Sequence, residues 1–330
     1  MDISSVLQGG YQHPVSRSWQ NRSELTKSMF MYPILISDDP DSNADVPSLP
    51  GQRRWGVNRL EGFLGPIIQK GLKSVFILGA PTKVEKDSQA SAADDPNSPV
   101  ILAIQKLREL FPSLYIAVDV CLCHYNVHGH CGFLHPDGVI NTEISVARIA
   151  DIALAYARAG ADCVAPSDMM DGRIKTVKQK LIDAGFGNRC TLMSFSPKFA
   201  TSLYGPFRSA AGNAPAFGDR QCYQPPVSAK GLARRIIQRD AAEGADIIMI
   251  KPALFYLDII AEATRLVPDH PIACAQVSGE YVMLRAGAAT GAFDLKTVVI
   301  ESAQCMVRAG ANIISTYFAA ELMEWLDSSM

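Results

Sequence analysis

Apolar residues along the chain alternate between two patterns. Short continuous runs at 31–37, 74–79, 115–120, 163–168, 191–196, 247–250, 271–277 and 311–317 predict eight strands buried on both faces. Between them, apolar residues at helical spacing predict helices over 57–71, 100–110, 143–159, 174–184, 229–243, 257–266 and 295–309. Three strands are introduced by nearly the same tripeptide, Gly160-Ala161-Asp162, Gly244-Ala245-Asp246 and Gly310-Ala311-Asn312, which marks repeated helix–strand units. This is the pattern of an α/β protein, a (β/α)8 barrel of the TIM type, whose chemistry belongs at the carboxyl ends of the strands. No Gly-x-Gly-x-x-Gly follows a strand, so a doubly wound dinucleotide fold is disfavoured.

Three stretches break the alternation. Residues 1–26 are polar and aromatic without a period, and read as an amino-terminal arm for subunit assembly, with residues 27–330 forming one catalytic barrel domain. Residues 82–98 are poor in apolar side chains and read as a long surface loop. Residues 199–228 are rich in Gly, Pro and aromatics and read as an irregular lid between the fifth and sixth strands.

Composition narrows the function. Of 330 residues, 48% are hydrophobic and 19% charged, and the formal net charge is -2, so no basic footprint points to nucleic acid. A small-molecule ligand is expected instead. No apolar run is long enough to span a bilayer and the first residues lack a basic-then-apolar leader pattern, so a cytoplasmic protein with no membrane partner is expected. Eight cysteines in a reducing compartment are then thiols or metal ligands rather than a disulfide framework.

Polar residues cluster where the barrel would put its chemistry. Asp119, Ser167, Asp168, Lys198, Lys251, Ser278 and Tyr317 all fall at or just past a predicted strand end. Lys251 ends an apolar run, and partial desolvation there would expose the free amine that attacks a carbonyl; the bland alternative is a lysine that snorkels to water. Lys198 stands at the equivalent place one strand earlier, and two converging cations depress one another's pKa. Past the third strand, Cys121, Cys123 and Cys131 lie in a glycine-containing loop with His124, His128 and His130. Three thiols can surround one zinc ion and leave a tetrahedral position open, and spacing does not choose among the histidines. In the lid, Arg208 and Arg220 could clamp a carboxylate, while Ser278 and Tyr317 offer hydroxyls for a second one.

Taken together, these segments resemble the porphobilinogen synthase (δ-aminolevulinic acid dehydratase) family, in its branch with a cysteine zinc site. The resemblance rests on Asp119-Val120-Cys121-Leu122-Cys123 with Gly129-His130-Cys131-Gly132, the run from Ala165 to Arg173, Lys198-Phe199 with the run from Tyr204 to Arg208, Ile250-Lys251-Pro252, and Val277-Ser278-Gly279-Glu280-Tyr281. It implies a lyase that condenses two molecules of 5-aminolevulinate to porphobilinogen with loss of two waters, a step toward haem. Lys251 would form the Schiff base with one substrate and Lys198 form or assist one with the other, with Asp119, Ser167 and Asp168 orienting amines and moving protons. Zinc on Cys121, Cys123 and Cys131 would act as a Lewis acid, and His130 with Cys222 could make a second, weaker metal site. Ser278 and Tyr317 would hold one carboxylate and Arg208, Arg220 and Gln224 the other, with Tyr204 and Phe207 also lining the substrate site. The family assembles as a homo-octamer through its arm.

The sequence departs from the family pattern near the presumed site. Pro197 stands where alanine is common, Phe195 and Ala275 where tyrosine is frequent, and Gln221 where a second arginine is common. Pro225-Pro226-Val227-Ser228 replaces the usual Leu-Pro-Pro-Gly. Retained chemistry beside altered neighbours fits a competent copy that tolerates a substrate-mimicking inhibitor. Two other readings are a non-catalytic zinc-binding regulatory relative and a class I aldolase, the latter opposed by a cysteine loop that imine-forming aldolases do not need.

Overall fold

The structure is a computed structural model, described here for residues 7–21 and 24–327. Eight parallel strands close on themselves: β1 (Phe30–Ile36), β2 (Ser74–Gly79), β3 (Tyr115–Val120), β4 (Cys163–Pro166), β5 (Thr191–Lys198), β6 (Ile247–Lys251), β7 (Ile272–Ala275) and β8 (Ile313–Ser315). Each pairs with the next, and β8 returns to β1 through Ile314 opposite Phe30 and Ser315 opposite Met31. Helices Leu60–Gln69, Pro99–Leu110, Thr142–Ala159, Arg173–Asp183, Lys230–Ala242, Leu257–Leu266, Leu295–Ala309 and Ala319–Trp325 follow the strands in turn. The strands are covered on both sides, so β1, β2 and β4 are buried at every position. No helix among the described residues is long and apolar enough to cross a membrane.

The repeated Gly-Ala-Asp tripeptides prove to be staples at the floor of the barrel. Gly160, Gly244 and Gly310 adopt φ of 111°, 98° and 115°, the left-handed turn that ends a helix and that a side chain would strain. Two residues on, the Asp162 carboxylate accepts the Ile116 N–H at 2.8 Å, Asp246 accepts the Leu192 N–H at 2.8 Å, and Asn312 accepts the Ile272 N–H at 2.9 Å. The donors lie at the starts of β3, β5 and β7, so each staple satisfies an amide of the neighbouring strand that the ladder leaves free.

Several segments differ from the sequence expectation. Helix Ser278–Ala289 follows β7 directly, because Val277 leaves the sheet and its N–H is taken by the Glu280 carboxylate at 2.7 Å. Its apolar stripe is interrupted by the buried Ser278 and Glu280, which hid the period. The supposedly irregular lid contains helix Gly205–Ala211, too short at seven residues to show one. Residues 82–98 hold a 3-10 turn, Ser91–Ala93, with Ala90 and Ala93 buried, rather than only surface loop. The expected arm falls partly outside the described residues, at 1–6 and 22–23. Its described part is a turn, Gln8–Gly10, and a helix, Pro14–Gln20, neither of which buries a side chain.

The floor staples give a stability prediction separable from catalysis. Asp162→Ala is expected to lower the unfolding free energy by about 1–3 kcal/mol, the range for a buried donor left without its acceptor. Asp162→Asn, which keeps an acceptor, should recover most of it in denaturant titrations.

Candidate active site

At the carboxyl end of the barrel Lys198 and Lys251 face each other in register across β5 and β6. The pairing shifts between Met249 and Lys251, an irregularity that brings the two strand ends together there. Lys198 is buried, and its amine donates to the Ser167 carbonyl at 2.7 Å. The Lys251 amine has no hydrogen-bond acceptor among the described residues. It instead faces three aromatic rings, Phe195, Tyr204 and Phe207, with Nζ 5.1, 5.5 and 5.9 Å from their centroids. Desolvation first, and then the Lys198 charge, lower its pKa from 10.5 to about 8. At pH 7 about one such amine in ten is the free base, against about three in ten thousand for an ordinary lysine.

Two small cavities meet at Lys251, Tyr204 and Phe207. The first runs toward Ala275, Ser278, Ser315 and Tyr317 and is walled by Phe76, Leu78 and Phe195. Ser278 accepts the Phe207 N–H and donates to the Leu203 carbonyl, both at 3.1 Å, which ties it to the lid. Tyr317 is buried and packs its ring 5.5 Å from that of Tyr281. Glu280 fastens this wall to the lysine strand: besides Val277 it accepts the N–H groups of Leu254 and Ala253, just past Lys251. Burial raises its carboxyl to about 7 against those bonds.

The second cavity is lined by Asp119, Cys123, His124, Ser167, Lys198, Arg208, Asn213 and Arg220. Burial alone would raise Asp119, but the His124 ring, 3.6 Å away, with Lys198 and Lys251 holds it below the usual carboxylate range. Arg220 is buried and donates to the carbonyls of Asn213 and Gly129 at 2.6 and 3.0 Å. Burial and then Arg220 push the Arg208 guanidinium down. Both arginines keep a buried Nε without a partner. Two cations side by side with spare donors are a place for an anion.

Beside this cavity the sulfurs of Cys121, Cys123 and Cys131 lie within 4.8 Å of one another, all buried, with Cys121 and Cys123 in contact at 3.0 Å. Burial and its two neighbours push the Cys121 thiol up. Cys123 is held down against burial by hydrogen bonds from those neighbours and by His124 and Arg220. Asn213 donates to the Cys123 sulfur at 3.5 Å. Three crowded thiols cannot all ionise unless a cation joins them, and the set fits zinc.

Not every expected site residue converges. His124 lies between Asp119, 3.6 Å from its ring, and the Cys123 thiol, but does not join the group of three converging sulfurs. His130 uses both ring nitrogens on protein groups, the Tyr223 hydroxyl and the Phe217 carbonyl, each at 3.1 Å. Cys222 is exposed and lines a separate groove of about 530 Å³ together with Gln224, whose buried amide has neither atom partnered. That groove lacks both lysines, which line the smaller pair of cavities instead. Asp168 is fully buried behind Ser167, its carboxyl raised to about 6 by burial against Arg173 and the Met170 N–H. The sequence reading overlooked Asn213, Tyr223 and Glu280 as site residues, because what ties each to the site is a contact distant in the chain.

Comparison with known proteins agrees along the whole length. The family model for delta-aminolevulinic acid dehydratase matches residues 6–325. The Schizosaccharomyces pombe protein named delta-aminolevulinic acid dehydratase is 53% identical over 327 residues, covering 99% of both chains. The Bos taurus protein of that name is 52% identical with the same coverage. A crystal structure of delta-aminolevulinic acid dehydratase (porphobilinogen synthase) from Toxoplasma gondii ME49, in complex with the reaction product porphobilinogen, superposes with a TM-score of 0.95. Its identity is 33%, over 99% of this chain and 93% of that one.

The amine environment predicts a pH dependence. The rate at which a small acylating reagent modifies Lys251, followed by peptide mass spectrometry, should rise with a midpoint near pH 8. Lys198→Met removes the neighbouring cation and should move that midpoint to higher pH.

Proposed function

The chain belongs to the delta-aminolevulinic acid dehydratase family, and we propose that it is a zinc-dependent porphobilinogen synthase working through lysine imines. The observation that carries this reading is the unpaired Lys251 amine facing Lys198 between one cavity with hydroxyls and one with arginines and thiols. Two molecules of 5-aminolevulinate need two such cavities. Lys251 attacks the ketone of one, and water leaves as the imine forms; the protonated imine is an electron sink that acidifies the adjacent carbon. Lys198 forms or assists an imine with the other. Joining the substrates through one carbon–carbon and one carbon–nitrogen bond gives the pyrrole, each lysine held as an imine leaving as the free amine, with two waters lost overall.

Each remaining group has a task in this scheme. Ser278 and Tyr317 hold the carboxylate of the first substrate, and Arg208 and Arg220 that of the second, with Gln224 reaching it as the lid closes. Asp119, with Ser167 and Asp168, orients amines and passes protons. Zinc bound by Cys121, Cys123 and Cys131 would supply Lewis-acid polarisation of the second substrate. The exposed arm, with Trp19 77% accessible, supports assembly into a homo-oligomer, an octamer in this reading, of a cytoplasmic enzyme in haem formation. The unpaired, activated Lys251 speaks against a non-catalytic regulatory relative, because an amine whose pKa is lowered in an enclosed site serves no binding role that an ordinary side chain would not fill.

Ala275 and Ser315, opposite each other on β7 and β8, leave small side chains on the wall near Lys251, with Phe195 beside them. This supports a competent copy with altered tolerance for a dicarbonyl substrate mimic.

Purified protein supplied with 5-aminolevulinate and zinc is expected to form porphobilinogen. A chelator should reduce the rate at least tenfold, with recovery on zinc addition, and Cys123→Ala should be insensitive to both treatments at a low rate. Absence of product from folded, zinc-loaded protein would remove the reading. The Ala275→Tyr variant should be more sensitive than the unmodified chain to the dicarbonyl mimic; equal inhibition would discard the tolerant-copy reading.

A further inference from the structure

Behind the site, the barrel wall contains a line of buried charges. Arg173 opens helix Arg173–Asp183, and its side chain is fully buried. Its Nη2 donates to the Asp240 carboxylate at 2.8 Å, the Phe195 carbonyl at 2.8 Å and the Ser194 hydroxyl at 3.1 Å, and Nη1 donates to the Met170 carbonyl at 3.3 Å. The remaining donor, Nε, stands 3.9 Å from Asp168 Oδ1, and neither atom has a partner. Asp240 is itself fully buried, accepts from Ser194 and Ser196, and also pairs with Arg239 at 2.7 Å. From the outer helix inward the charges alternate: Asp240, Arg173, Asp168, Lys198.

We propose that Arg173 is a positioning residue for proton transfer, anchored by Asp240 and the β5 backbone so that it governs the ionisation and orientation of Asp168 beside Lys198. The proposal rests on Asp168 taking part in the reaction described above. Its logic is charge division. The Arg173 charge is already shared with Asp240, so Asp168 lacks a full counter-ion and gains a proton easily. Burial outweighs Arg173, the Met170 N–H and Lys198, and lifts Asp168 to about 6. Asp240, by contrast, is held low against burial by Arg173, Arg239 and the two serine hydroxyls. Arg173 and Lys198 are the charged side chains acting on Asp168, and Asp168 and Asp240 those paired with Arg173. An Nε gap that closes by about 1 Å would make a hydrogen bond that is stronger to the ionised carboxylate than to the protonated one. Asp168 can therefore release a proton toward the substrate amine and be caught by Arg173.

The test is Asp240→Asn, which keeps the shape and the serine contacts but frees the Arg173 charge for Asp168. The acid limb of the rate–pH profile for porphobilinogen formation should move to lower pH by about one unit, as expected when an opposite charge becomes available within a few ångströms. Arg173→Gln should move it the other way. The Asp168 protonation itself is read by the protonated-carboxyl infrared band, with Asp168→Asn as the blank, and should shift with the rate profile. This band is measured without turnover, so it decides the proposal even if the chain makes no porphobilinogen. A folded Asp240→Asn protein with an unshifted carboxyl titration would overturn it and leave Arg173 a packing residue.

Discussion

Two like charges are held against each other at the ends of neighbouring strands, and much of the structure answers that constraint. Lys198 and Lys251 are in register, and three aromatic rings face the second amine. Depressing an amine from 10.5 to about 8 costs about 3 kcal/mol of folding free energy. The cost is fully present below pH 8 and vanishes above the unfolded pKa, so it is borne at neutral pH. A closed barrel with continuous ladders and side-chain staples beneath the site can carry such a penalty where a loop could not.

The negative groups nearby are placed to limit that charge without pairing with the Lys251 amine. Asp119 is shared with His124, Asp168 is withheld behind Ser167 by its raised proton affinity, and the thiol cluster faces Arg220. None of these makes a hydrogen bond to the Lys251 amine. The Lys251 amine is left without an acceptor among the described residues, beside a cavity that holds the spare donors of Arg208 and Arg220. Glu280 connects the two halves mechanically, because one carboxylate holds both the chain leaving Lys251 and the start of the helix that carries Ser278.

The eight strands and seven of the helices were legible because each is long enough to repeat its period, and helices Leu257–Leu266 and Leu295–Ala309 end where the spacing ends. Helix Ser278–Ala289 escaped because Glu280 interrupts its apolar face for a structural purpose that only the fold reveals. The lysine pair was legible from its place at strand ends, and the thiol cluster from its density. Which histidine joins the thiols was not legible: spacing treats the three alike, whereas His124 is drawn to Asp119 and His130 to Tyr223 by residues far along the chain. Gln224 and Cys222 lie on another groove for the same reason, since the lid's path depends on packing rather than pattern.

The account stands most directly on which amine takes the substrate. Borohydride reduction of the protein with one equivalent of 5-aminolevulinate, followed by peptide mapping, should place the added mass on the peptide containing Lys251. Label found only at surface lysines, or label that persists undiminished in Lys251→Ala, would contradict the claim that this desolvated amine is the nucleophile.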